Sequence, residues 1–186
     1  VDILARAFHD DPVMNWICPR PGFIPMLFEL TLPVFLPHGL TYMSGEGKGV
    51  ATWLGPHTKL DWPFKLGNIW RMLRFGGVPS LYRFATSGMK TEKYHPRSPH
   101  YYLFAIGAPA EYRGQGIGTA LMTQMLRRCD AEGVPAYLEN SREANLPFYL
   151  GHGFEVQRQI QLGRGAPPIW LMWREPRQVA AGSAPA

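Results

Sequence analysis

"EYRGQGIGTALMTQMLRR", residues 111–128, decides how the rest of the chain is read. Glycines stand at every second position, Gly114, Gly116 and Gly118, behind Arg113, and an amphipathic run begins at once. Ile117, Leu121, Met125 and Cys129 recur at four-residue spacing, with Met122 and Leu126 widening the stripe, which predicts a helix buried on one face. A helix N-terminus exposes unpaired N–H groups and carries about half a positive charge. Glycines ahead of it let those groups converge on one cluster of oxygens. With Arg113 alongside, the stretch describes a phosphate or pyrophosphate cradle over residues 113–119. Two familiar cradles fail on spacing. The dinucleotide fingerprint needs a glycine where Thr119 stands, and the triphosphate loop needs Gly-Lys-Ser/Thr at its end. A plain strand-to-helix turn would not need three alternating glycines and an arginine.

Around this loop the pattern is strand, helix, strand. "HYYLFAIGA" (100–108) is a nearly continuous apolar run and reads as a buried central strand. Gly133 stops the helix, and "VPAYLEN" (134–140) reads as a second buried strand, completing a βαβ unit. "REANLPFYLGHGF" predicts a short helix ending at Gly151 or Gly153. "FEVQRQIQL" and "PIWLMWRE" predict a terminal antiparallel pair, and 177–186 a disordered tail. Upstream, "VDILARAFHDDP" reads as a helix ended by Asp11-Pro12. Residues 21–39 read as a second helix broken by Pro33, and residues 40–56 as a hairpin turning at Gly45-Glu46-Gly47. Residues 60–95 are aromatic, basic and roughly helix-periodic. They predict two helices parted by Gly76-Gly77, with Pro63 as a further break, in an otherwise single domain over 1–176.

The chain has 186 residues, 46% of them apolar and 18% charged, which is the composition of a globular chain and not of a disordered one. Its net charge is +5, with a pI near 9.4. A basic balance favours polyanionic partners, a phosphate-rich cofactor among them. No run of five Lys/Arg occurs, so nucleic acid is not expected as a partner. Nor is a membrane, since no stretch of about 18 apolar residues occurs. Two cysteines without metal or disulfide spacing, Cys18 and Cys129, fit the cytoplasm, and six histidines without ligand spacing predict no metal. A monomer and a homodimer both stay open.

"RGQGIGTAL" resembles the acetyl-coenzyme A (acetyl-CoA) loop of the GNAT superfamily of acyltransferases, whose pattern Arg/Gln-x-x-Gly-x-Gly/Ala is filled by Arg113, Gly116 and Gly118. "NLPFYLGHGFEV" is similar to that family's Asn…Tyr-x-x-x-Gly-Phe segment, filled by Asn145, Tyr149, Gly153 and Phe154. Within the superfamily, residues 95–175 are most similar to puromycin N-acetyltransferase and its bacterial relatives, through "EGVPAYLENSREANLPFY" and "IWLMWREP". The resemblance implies an α/β (α+β) fold, a mixed and mostly antiparallel sheet flanked by helices. It implies direct acetyl transfer from acetyl-CoA to a primary amine of a small molecule. It places a strand before the first helix, whereas this chain begins in the helix. That strand lies upstream of Val1, or the sheet has one strand fewer.

The same resemblance implies cofactor contacts from the backbone of Ile106, Gly107 and Ala108, where a bulge splays the central strand. Further contacts come from Arg113, Gly114, Gln115, Gly116, Ile117, Gly118 and Thr119, and from Asn145 and Tyr149. It makes Tyr149 the acid that protonates the departing thiolate. The base is read from the residues themselves. Glu139, near the end of a buried strand, and His100, at the start of the central one, are both candidates, and a chain of waters is the third. Each also has a structural reading, Glu139 as an ion-paired group and His100 as a strand-edge residue. Trp53, Trp62, Trp70, Tyr82 and Phe84 read singly as core residues and together as the lining of a pocket for a bulky or aromatic acceptor. A peptide or protein acceptor and a non-enzymatic acyl-CoA sensor are the alternatives.

Overall fold

The computed structural model describes residues 1–58 and 66–177. Three helices come first: α1 (Asp2–Ala7), α2 (Pro12–Ile17) and α3 (Phe23–Phe35). Strands β1 (Thr41–Met43) and β2 (Val50–Leu54) form the expected hairpin. Then follow α4 (Leu66–Tyr94), β3 (Tyr101–Gly107), α5 (Ile117–Glu132), β4 (Ala136–Asn140), α6 (Leu146–Gly151), β5 (Glu155–Gln161) and β6 (Pro168–Arg174). The six strands make one sheet in the order β1-β2-β3-β4-β6-β5. Only β3 and β4 run parallel, joined by the crossover helix α5. The fold class is therefore the expected mixed, mostly antiparallel sheet between helices.

Each face of the sheet carries its own core. On one face α1–α3 and part of α4 cover Ala105, Tyr137, Ile169 and Leu171. On the other, α5 and α6 cover Leu103, Ala136, Leu138 and Met172. Leu121, Met122, Met125, Leu126 and Cys129 of α5 are all buried there, as their spacing requires. Each large side chain so buried contributes about 1.5–3 kcal/mol. Gly133, at φ 64°, ends α5.

Three local expectations change, while the break expected at Gly76-Gly77 is present. Asp11-Pro12 does more than end α1. The Asp11 carboxylate accepts the Met14 N–H at 2.8 Å, and Pro12 takes the first position of α2, where a missing N–H costs nothing. Pro33 does not break α3, which runs through it to Phe35. Residues 66–94 form helix on both sides of one break at Gly77 (φ 69°, ψ −176°), while Pro63 lies outside the described residues. Arg177 is not part of a loose tail, because its N–H donates to Asp130 Oδ1 at 2.7 Å. Residues 178–186 also lie outside the described residues.

The feature that opens the sheet is in β3. Its ladder with β4 stops at Leu103↔Leu138, while its ladder with β2 continues to Gly107↔Val50. From residue 104 onward the edge of β3 that faces β4 has no strand against it. At that same point β2 pairs Thr52 with Ala105 and Trp53 with Leu103, so Phe104 is an extra, bulged residue. A bulge bends its strand and re-aims the side chains beyond it. Leu103 faces the α5 core, yet Ala105 faces the α1–α3 core. Phe104 is pinned by stacking on Phe35, centroids 3.9 Å apart. The bulge thus lies two to four residues ahead of the expected 106–108.

Candidate active site

A cleft of about 560 Å3 opens where β3 and β4 part. It runs between the C-terminal end of α1, the bulged end of β3, the glycine loop and the start of α6. Every residue expected to hold the cofactor lines it except Gln115, whose side chain turns back to the Glu111 carbonyl at 3.2 Å. Glu139 and Tyr149 line it too, from opposite faces of the sheet.

The loop side is built from backbone. Gly114 and Gly116 take φ of 77° and 76°, a conformation that costs other residues energy. A methyl group at either would meet no protein atom within 4 Å. The space before the α5 N-terminus is therefore open, which fits a pyrophosphate seated on free N–H groups. Arg113 is half exposed and reaches back to the Ala7 carbonyl at 3.3 Å, with Asp10 Oδ1 at 3.9 Å. Gly107 has a different reason from the one expected. A Cβ there would stand 2.6 Å from that of Ala7, so glycine is set by the approach of α1.

The other side is built from side chains. Glu139 Oε1 accepts from the Tyr137 hydroxyl at 3.2 Å, and Oε2 from Tyr102 at 3.3 Å. Burial, followed by the Glu139 charge, pushes both phenols up, so both stay donors. His95, just past α4, stands behind them with Nδ1 3.8 Å from Glu139 Oε1. His100 does not line the cleft. It is buried behind β3, bonded to the Ser98 carbonyl and to His95, and burial holds its imidazole below the ordinary value.

Tyr149 is 8% exposed, and among the described residues its hydroxyl has no hydrogen-bond partner. Burial, then the nearby Asp11 carboxylate, raises its pKa, so it remains a phenol. Asp11 is itself buried at the cleft wall, and burial raises its pKa although Ser141 Oγ and the Met14 N–H donate to it. Burial opposes the charge on Asp10 as well, but Arg142, bound to its carboxylate at 2.8 and 3.0 Å, outweighs that and holds it low.

The aromatic pocket is not formed as expected. Trp53 is wholly buried under α5, Phe84 packs on the α1–α3 core, and Trp70 and Tyr82 are exposed on α4. None of them lines the cleft, whose aromatic lining is Phe8, Phe104, Tyr112, Phe148 and Tyr149. Trp62 lies outside the described residues. No local signal in the sequence marks Asp11, Tyr102, Tyr137 or His95 as site residues. A strand residue facing a carboxylate has no local signature, and His95 meets Glu139 only through the fold. Among the described residues no group of three His, Cys, Asp or Glu could hold a metal ion, and no helix is long and apolar enough to cross a membrane.

Residues 81–154, which span the bulged strand, the loop and α6, match the model of the Acetyltransferase (GNAT) family. Over that stretch the chain is similar to the GNAT acetyltransferases, a family that uses acetyl-CoA. An uncharacterised N-acetyltransferase of Schizosaccharomyces pombe is 28% identical to it, over 93% of this chain and 77% of that protein. The fold is shared with a histone acetyltransferase and related acetyltransferase from Corynebacterium glutamicum (24% identity, 97% of this chain and 91% of that one, TM-score 0.67). It is shared also with arylalkylamine N-acetyltransferase 2 from Aedes aegypti (15% identity, 94% and 91%, TM-score 0.60).

Proposed function

We propose that this chain transfers an acetyl group from acetyl-CoA directly to a primary amine of a small molecule. The observation that carries the reading is the Tyr149 hydroxyl, held in the cleft wall with no partner of its own. This hydroxyl meets the open cleft and bonds to no other described residue, which leaves it free for a group that arrives with the ligand. Acetyl-CoA supplies the activated acetyl thioester. Gly114, Gly116 and the first N–H groups of α5 bind its pyrophosphate, with Arg113 beside them, and the unladdered edge of β3 from Ile106 to Ala108 aligns its arm. The Ile106 N–H polarises the acyl oxygen. Glu139, kept ready by two tyrosine donors, takes a proton from the acceptor amine. Tyr149 Oη gives a proton to the departing sulfur.

A small acceptor is supported by the size of the cleft, within the range of about 300–1,000 Å3 usual for ligand pockets, and by its phenylalanine side chains. The two buried thiols, Cys18 and Cys129, suit the cytoplasm. A peptide N-terminus as acceptor is favoured by one observation, the three carboxylates Asp10, Asp11 and Glu139 on the wall. A thiol-release assay with acetyl-CoA over arylalkylamines, polyamines, amine antibiotics and peptides tests both. Turnover confined to small amines supports the proposal, and turnover confined to peptides replaces it with the second reading. No acetylated product from any of them removes both.

A further inference from the structure

Behind Glu139 two histidines fix each other's protons. His100 Nδ1 lies 2.7 Å from the Ser98 carbonyl oxygen. A carbonyl only accepts, so this nitrogen carries the hydrogen. His100 Nε2 lies 3.1 Å from His95 Nε2. Burial keeps His100 neutral, so its Nε2 is a lone pair and the hydrogen between the rings belongs to His95. Neutral His95 therefore has a bare Nδ1. That atom faces Glu139 Oε1 at 3.8 Å.

We infer that His95 receives the proton that Glu139 takes from the acceptor amine, and releases it to solvent. The inference rests on Glu139 being the base. The O–H bond of the protonated carboxyl breaks as an N–H bond forms at Nδ1, which leaves a carboxylate beside an imidazolium. A small turn of the ring, or one water, closes the gap to a charge-assisted length of about 2.8 Å. Water then takes the proton, since 28% of the His95 side chain is exposed. The path does not continue through His100, whose own hydrogen is tied to a carbonyl and whose burial opposes a cation. His100 is a positioning residue that keeps Nδ1 of His95 free. The ionisable groups facing His95 are His100, Tyr102, Tyr137 and Glu139, with Glu92 of α4 close to Tyr102.

Imidazole nitrogen NMR on the free protein at pH 8 reads the tautomers without cofactor or acceptor. The expected result is a hydrogen on Nε2 of His95 and on Nδ1 of His100. A hydrogen on Nδ1 of His95 overturns the inference, however fast any acceptor is acetylated. With phenethylamine and saturating acetyl-CoA, His95→Ala should lose about tenfold in kcat with little change in the amine KM, and added imidazole should restore it. Full turnover in His95→Ala beside an inactive Glu139→Gln ends the relay and leaves the base standing. Full turnover in Glu139→Gln ends both. Loss in His95→Ala that imidazole does not restore, or that appears in KM, marks a structural residue and also overturns the relay.

Discussion

The two walls of the cleft are made of different material. The loop wall is backbone: glycines at positive φ, the N-terminus of α5 and an open strand edge. The opposite wall is side chain: Glu139 with Tyr102, Tyr137 and His95, and the buried Asp11. A backbone wall offers the same N–H groups whatever most of its side chains are, so it suits the constant, anionic part of a ligand pair. A side-chain wall can be retuned residue by residue, so it suits the proton chemistry and the acceptor. Tyr149 belongs to neither. It comes from the α5/α6 core and leaves its hydroxyl unpaired in the space between them.

If that division holds, the greatest loss should come from the side-chain wall. Glu139→Gln should lower kcat by on the order of a thousandfold and leave the KM for acetyl-CoA unchanged, both read from initial rates. A rise in the cofactor KM would mean that the walls are not separate. Next comes Tyr149→Phe, with a fall of about a hundredfold in kcat. Its hydroxyl bonds to nothing among the described residues, so unfolding free energy should move by less than about 1 kcal/mol. A lower Tm with wild-type turnover would end the acid assignment.

Changes in the backbone wall should appear in binding instead. Gly116→Val should raise the acetyl-CoA KM at least about tenfold, worth about 1.4 kcal/mol, with kcat at saturation nearly kept. Unchanged cofactor affinity in a folded variant would mean that the ligand does not lie against this loop. The smallest effect belongs to the seam where α1 meets the wall. Asp10→Asn should cost less than about 1 kcal/mol, because the pair with Arg142 is partly exposed. The folded carboxyl titrates below its ordinary value of 3.8. Its contribution is therefore present above that value and is lost as pH falls through the lower, folded one. Urea titrations at pH 7 and pH 3 should show the gap between variant and wild type closing at the lower pH.

The backbone wall was legible in the sequence because its signal is local. Alternating glycines, the stripe from Ile117 to Cys129 and the stop at Gly133 lie within one stretch, and all took their expected forms. The side-chain wall was legible only at Glu139. Tyr102, Tyr137 and His95 come together across two strands and a helix end, and no spacing encodes that. Asp11-Pro12 misled because one dipeptide can stop a helix and start the next. The aromatic residues of α4 misled because a count of rings does not say which way they point. Trp70 and Tyr82 face out, while Trp53 went to the core.

Phe104 has a consequence for how such a cleft is inherited. The parting of β3 and β4 coincides with one surplus residue, not with one special side chain. Replacing Phe104 would disturb its stacking on Phe35 but leave the count of residues, and so the offset between the strands, as it was. A single-codon deletion is another matter. It would give the β2 ladder an even register with Ala105 to Gly107 on their present faces, and would remove the bend that the surplus residue puts into β3. The opening is thus buffered against point mutation, the commonest kind of genetic error, and vulnerable to a rarer one.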